Sequence, residues 1–571
     1  MSLVLALWMM AAAPAPVPAD PLTPAGMRDL AHTYYQWYYQ QFPVAATDAG
    51  RHDGDARLTA FDAASRTARV NKVEWLLARL ENAGAATWSP DDQVDLALLR
   101  AHLRRVLFDE TVLRRWGRDP GVYVDECANA IFSLLKKEYA ARPVRARAAI
   151  QRLRRMPEML AVARENLTEG VPLLASLAIQ AIDGLPPLFD DSLGMLLESL
   201  PDAERLDLVA ARDGALRSLR DFRAWLRTAQ KSMTAPLAIG REAYEELLRD
   251  VYMLPMGPDD MVRLGEVELA RARALEAMLA DPGVADILPR PSGEQEVKDA
   301  RDYLQRYESR TSALIEHLQA RDLLTLPAWL GPFQIVELPA AFRPTSPGGF
   351  MNPPGVFDND ASGFYFIPPY DPNSGNFYVR AALSNPLPIL GHEGIPGHFL
   401  QISIANHNPD EIRRMHQDGV FQEGWALYTE EMLLRTGLYE TPGQASENEA
   451  GRAQVLRLMR YRSARIPVDV RLATGEWSFG QAVDYFMNEG GLDREAATGE
   501  AAGAAVNPGQ KMNYIVGKHQ IQRLLGLYRQ SRPDTFRLRA FHDELLSFGS
   551  MPLCLAERLM LGNEQACRPP A

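Results

Sequence analysis

His392 and Glu393 are adjacent, and a second histidine follows at His398, within "GHEGIPGHFLQ". Two histidines and a carboxylate at short range are the donor types of a zinc site with a neighbouring general base. The familiar arrangement, H-E-x-x-H, sets its histidines four apart on one helix. Residues four apart differ by about 40° in direction and about 6 Å in height, so both rings reach one ion. Here the second histidine comes two residues later, where a regular helix would turn it by about 240° and lift it about 9 Å. An undistorted helix cannot bring His392 and His398 together. Pro396 lacks the N–H that would bond the His392 carbonyl, and its ring crowds that turn. Gly397 tolerates positive φ. One reading is a kinked or widened turn that returns His398 to His392. The other is a new helix starting at Pro396 that leaves His398 outside the site.

A zinc hydrolase needs three protein ligands, an open position for water and a carboxylate base. Glu393 is the candidate base. "FQEGWALYTEE" offers the third ligand, Glu423, 25 residues after His398. That interval holds a polar loop and leaves room for an antiparallel helical return. Gly424 beside it allows close helix approach. Glu430, two turns on, shares its face and is either a supporting carboxylate or a solvated charge. Of the ten histidines, His407 and His416 in the intervening loop are rival ligands. His32, His52, His102, His317 and His519 read as structural. Arg462 and Arg465, in "RYRSARIPVD", either clamp a substrate carboxylate bidentately or lie on a helix surface.

These residues need a scaffold. A chain of 571 residues exceeds one compact core, and 47% hydrophobic with 23% charged residues is an ordinary globular composition. The net charge of −12 disfavours a general nucleic-acid binder, which needs a basic surface. From about 25 to 330 apolar residues recur at helical spacing. In "DDQVDLALLRAHLRRVLFDE" they are Leu96, Leu99, Leu103 and Val106, behind an N-cap at Ser89. Between 331 and 390, "FQIVELPAAF", "ASGFYFIPP" and "GNFYVRAAL" read as strands of a small sheet. Helical character then returns to about 548. The expected organisation is mainly α: a helical part over 25–330, then a small antiparallel sheet and a helical catalytic part over 331–571.

The first residues, "MSLVLALWMMAAAPAPVPAD", resemble the apolar centre and cleavage region of a secretory signal, without its basic start. The expectation is a signal segment over 1–19 and a periplasmic or secreted protein; the alternative is a frayed apolar tail. No cysteine lies near this segment, so lipid anchoring is not expected. No later run of 18 apolar residues predicts a transmembrane helix. Of three cysteines, Cys554 and Cys567 are near enough in sequence to pair in an oxidising compartment, or all three are free thiols.

"GHEGIPGHFLQ" followed by "FQEGWALYTE" resembles the bacterial domain-of-unknown-function 885 family, whose members look like zincin-type metallopeptidases with H-E-x-x-P-G-H and E-G-W-A. The similarity takes in "PPYDPNSGNFYVRAAL", "PGQKMNYIVGKHQIQRL" and "GSMPLCLAERLM", so by motif it spans roughly 330–560. It implies two helical lobes around a cleft with a small sheet, as in neurolysin-type peptidases. It implies zinc (Zn2+) on His392, His398 and Glu423, with Glu393 as base and a peptide as substrate. Tyr514 resembles the tyrosine donors of such enzymes and is the candidate for stabilising an oxyanion. Two residues depart from the pattern. Phe399 stands where many relatives have a further histidine, and Ala473 where they tend to read D-T-G-x-H. The implied activity is hydrolysis of short peptides. An amidase or deacylase acting on a non-peptide amide, or a metal- or peptide-binding protein without turnover, are the alternatives.

Overall fold

The computed structural model describes residues 20–280, 297–338, 348–440 and 445–568. The expected signal segment lies outside them. The protein is mainly helical with one small sheet. The helix Pro90–Phe108 starts where its sequence signals it, with the Ser89 side chain accepting the Asp92 N–H. Its stripe of Leu96, Leu99, Leu103 and Val106 is buried.

The helices close around three apolar clusters. The largest joins residues from both ends of the chain, among them Tyr34, Leu99, Trp425, Ile515 and Leu555. A second is built from Tyr123, Leu153, Phe222 and their neighbours. A third gathers Phe377, Leu458, Tyr461, Val468 and Ala501. The helix Ala445–Thr474 contributes to the first and the third, so it spans the ground between them.

The sheet has three strands, β1 Phe333–Glu337, β2 Phe350–Asn352 and β3 Gly363–Ile367, in the order β1-β3-β2. It is mixed, not antiparallel as expected: β1 runs parallel to β3 with Phe333 opposite Gly363, and β2 antiparallel with Phe350 opposite Phe366. The 338–362 connection is long enough for the crossover that parallel pairing requires. The third expected strand, "GNFYVRAAL", is the helix Phe377–Ser384. The Asn376 side chain accepts the N–H groups of Tyr378 and Val379, and this cap with the burial of Phe377 and Ala382 overrides the β preference of the aromatic run.

Among the described residues one stretch, 172–190, has the length and apolarity of a membrane span, with mean hydropathy 1.3. Pro186 opens a new helix inside it, so the stretch is divided between the helices Pro172–Gly184 and Pro186–Leu197. Neither reaches the ~20 residues a spanning helix needs. Cys554 and Cys567 form a disulfide, which decides between the two readings of these cysteines. Cys127 is a buried free thiol.

The helices Gly419–Arg435 and Asn513–Ser531 cross backbone to backbone at Gly424 and Gly517. A methyl group on Gly517 would meet the Val420 carbonyl oxygen and, at 2.6 Å, the Cα of Gly424. Gly517→Ala should therefore destabilise the protein by about 2–3 kcal/mol in denaturant unfolding. Gly526→Ala, on the same helix with open space around it, should stabilise it by about 0.5–1 kcal/mol. Equal behaviour of the two variants would show that the crossing is not tight.

Candidate functional site

The helix Leu387–Glu393 stops at Glu393, and a new helix, His398–Asn406, begins at the second histidine. The four residues between them, with a cis Ile395–Pro396 bond, turn the chain back on itself. Gly397 has φ −73°, so its role is not the positive φ expected of it. Close approach requires it instead: any Cβ there would collide with the carbonyl oxygens of Gly391 and His392. The helix Gly419–Arg435 holds this turn from the side. Trp425 Nε1 donates to the Pro396 carbonyl at 2.8 Å, and the Thr429 hydroxyl proton is shared between the Gly391 carbonyl at 3.0 Å and the Ala426 carbonyl at 2.7 Å.

The result brings the two histidines together without a continuous helix. Their rings lie 4.7 Å apart, nearly perpendicular at 82°. Glu423 projects between them, its Oε2 at 3.2 Å from His398 Nε2 and 3.6 Å from His392 Nε2. Ligand atoms of His392, His398 and Glu423 all lie within 4.8 Å of one another. Ligands at about 2.0–2.1 Å around a tetrahedral ion stand about 3.3 Å apart, so this donor set could hold one metal ion. Glu423 Oε2 is buried and its polar neighbours are the two imidazole nitrogens, so one oxygen and two ring nitrogens face a common point where a cation could sit.

Behind His392 stands Glu430, fully buried, with Oε1 2.8 Å from His392 Nδ1. The same oxygen accepts from Arg462 Nη1 at 2.6 Å. The His392 pKa is raised: burial and Arg462 press it down, but Glu423 and Glu430 more than offset them. The Glu423 carboxyl is held well below its ordinary range; burial pushes it up, and His398 and His392 outweigh that.

The cluster opens on a cavity of about 390 Å³ whose wall includes His392, Glu393, Arg462, Arg465, Lys511 and Tyr514. The Glu393 carboxylate makes no hydrogen bond or ion pair among the described residues. Tyr514 lies nearly parallel to His392, ring centres 6.0 Å apart, and its hydroxyl is likewise without a hydrogen-bond partner. Its pKa is driven well above the ordinary phenol value by burial and by Glu423. Arg462 and Arg465 are buried in this wall, not on a helix surface, and each already holds a carboxylate. Arg465 grips Glu500 through Nε at 2.8 Å and Nη2 at 2.6 Å.

His407 and His416 do not join the cluster. His407 stacks on Trp329 at 4.1 Å. His416 is buried among helices, where burial pushes its pKa down to about 3. Phe399 is fully buried and stacks on β1 through Phe333 at 5.0 Å, tying the second motif helix to the sheet. Ala473 is buried outside the cavity wall, and its carbonyl accepts the N–H groups of Ile239 and Gly240, each at 3.0 Å. Asp469, one turn earlier, accepts the N–H groups of Gly509 and Met512 at 2.7 and 3.1 Å and braces the turn before Tyr514. Sequence reasoning overlooked Glu500 and Lys511. Lys511 was within reach, three residues before Tyr514 in the quoted "PGQKMNYIVGK"; Glu500, alone in the Ala- and Gly-rich "GEAAGAAV", carried no signal.

Fold and site together define a mainly helical protein with a His-His-Glu cluster that borders, through His392, a cavity lined by both charged and apolar residues. The chain belongs to the bacterial family of proteins of unknown function DUF885, which it matches over residues 43–560. Several solved structures share its fold, including two described as putative lipoproteins. One is a "putative lipoprotein of unknown function" from Shewanella oneidensis, with TM-score 0.75 and 22% identity over 94% of this chain and 100% of that one. The other is a "putative lipoprotein" from Colwellia psychrerythraea, with TM-score 0.80 and 16% identity over 94% of this chain and 99% of that one. No curated protein matches the chain.

The Trp425 bond to the Pro396 carbonyl is the anchor of the motif turn. Trp425→Phe keeps an aromatic ring but strands that buried acceptor, and should cost about 2–3 kcal/mol in unfolding free energy. An unchanged stability would show that the turn holds itself.

Proposed function

We propose that the protein is a zinc-dependent hydrolase of amide bonds in short peptides, acting outside the cytosol. One observation carries this reading: His392, His398 and Glu423 converge at metal-ligand spacing beside an unpaired carboxylate, Glu393, on a cavity wall. A pure metal store has no use for that fourth, unpaired group. The cavity volume of about 390 Å³ suits a small substrate. The disulfide supports an oxidising compartment, and the description of both structural relatives as putative lipoproteins points the same way.

A bound zinc ion supplies Lewis acidity and lowers the pKa of water toward 7. The chain's own residues do the rest. His392, His398 and Glu423 hold the ion, and Glu430 fixes the orientation of His392 from behind. Glu393 takes a proton as a water oxygen bonds to the scissile carbonyl carbon. Tyr514 donates its hydroxyl to the carbonyl oxygen as negative charge develops there. When the carbon–nitrogen bond breaks, Glu393 returns the proton to the leaving amine. One water is consumed, and a carboxylic acid and an amine are released.

Metal analysis of the purified protein should find about one zinc per chain, lost in His392→Ala, His398→Ala and Glu423→Ala. Glu430→Gln should weaken zinc binding by about 10–100-fold. Full zinc retention by His398→Ala would refute the three-ligand centre.

Glu393→Gln separates enzyme from binder. It should keep its zinc but lose at least about 100-fold in peptide turnover. If a peptide library digested with and without chelator yields no cleavage by the zinc-loaded wild type, a binding protein without turnover replaces the hydrolase reading.

A further inference from the structure

The cavity wall carries Arg462, Arg465 and Lys511 against Glu393, Glu495 and Glu500, but two of these cations, Arg465 and Lys511, pair with the same carboxylate, Glu500. Glu500 is surrounded by donors: Arg465 through two nitrogens, Tyr378 Oη at 2.5 Å and Lys511 Nζ at 3.2 Å. One carboxylate thus faces two cations. Arg465 keeps a third nitrogen, Nη1, that is buried with no hydrogen-bond partner, on a side chain only 6% exposed. An unsatisfied guanidinium N–H in a buried wall is costly unless something fills it. The other acidic groups of the wall do not. Glu495 lies at the exposed rim against Asn376, and Glu393 makes no ion pair. Arg462 also keeps a buried unpartnered nitrogen, Nε, but the carboxylate it holds, Glu430, is the one behind His392, which places it on the metal side of the wall.

This corner, where two cations share one carboxylate, stands close to the histidine cluster. The Arg465 guanidinium lies 4.3 Å from the centre of the Tyr514 ring, and that ring 6.0 Å from His392. The cation is therefore within about 10 Å of the metal-cluster imidazole. With about 3 Å taken by an ion pair at Arg465 and about 3.3–3.6 Å per extended residue, one or two residues bridge from a carbonyl at the cluster to a carboxylate at Arg465.

We infer that Arg465 and Lys511 form a subsite for a substrate carboxylate, the free C-terminal carboxylate of a peptide cleaved one or two residues from its end. The inference rests on the hydrolase reading for the cleavage and on the cavity alone for the binding. Arg465 offers Nη1, Lys511 offers Nζ, and Glu500 holds both in place. An acidic side chain near the scissile bond has the same chemistry and is the competing source of the carboxylate.

The test uses two randomised libraries of N-acetylated tetrapeptides, identical except for a free acid or an amide at the C-terminus. Each is passed over immobilised, zinc-loaded Glu393→Gln protein, and bound peptides are quantified by mass spectrometry. Free acids should be enriched at least about tenfold over amides, whether or not they contain Asp or Glu. Lys511→Met and the charge-conserving Arg465→Lys, each in the Glu393→Gln background, should pull that ratio toward one. Wild-type protein should release one or two C-terminal residues from the acids and leave the amides largely intact. Equal retention of acids and amides overturns the subsite, and so does retention of amides that follows Asp or Glu content. Enrichment of acids without cleavage by the wild type sinks the hydrolase reading and leaves the carboxylate subsite standing.

Discussion

A helix that breaks between its two histidines leaves backbone acceptors in a buried place, and something else must satisfy them. The site depends on how this is solved. The carbonyls of Gly391 and Pro396 are taken by Thr429 and Trp425, both on the helix that also carries Glu423 and Glu430. One helix therefore stabilises the interruption and supplies two of the carboxylates that meet the histidines. The geometry of the cluster and the survival of the turn are one problem. A side chain that faces inward for one purpose cannot be moved without disturbing the other.

The charges follow the same economy. Burying an ion is expensive, and a pair breaks even only when its hydrogen bonds are met. Around the cavity each buried cation shares its carboxylate. Glu430 serves Arg462 and His392, Glu500 serves Arg465 and Lys511, and Glu431 serves Lys518 at 3.1 Å on the far side of the same helix. Lys518 also reaches Glu268 at 2.9 Å, which links a helix from the first half of the chain to the second half. These pairs lock the helices Gly419–Arg435, Ala445–Thr474 and Asn513–Ser531 in mutual register around the cavity.

Much of this was legible beforehand, and the limits are physical. The pairing of "GHEGIPGHFLQ" with "FQEGWALYTE" pointed to His392, His398 and Glu423, because donor types at defined spacing carry chemistry whatever the fold. The helix behind Ser89 was legible because cap and apolar stripe agree. The role of Gly397 was misjudged, since sequence reveals where glycine is tolerated but not which carbonyl crowds it. "GNFYVRAAL" was mistaken for a strand because an N-cap at Asn376 weighs little against aromatic residues until Phe377 and Ala382 have a core to enter. The parallel pairing of β1 with β3 depends on a crossover whose direction no local pattern encodes. Arg462 and Arg465 looked equally suited to surface or site, because their partners Glu430 and Glu500 lie far off in sequence.

At Gly424 and Gly517 no side chain stands between the two helices that carry Glu423 and Tyr514. The gap between those functional groups is thus set by the thickness of two peptide backbones, a length that substitution can increase but not reduce. Most binding clefts are tuned by exchanging one side chain for a slightly larger or smaller one. Between Glu423 and Tyr514 the gauge is fixed, whereas Arg465, Lys511 and Tyr378 meet the cavity through side chains whose length exchange can change.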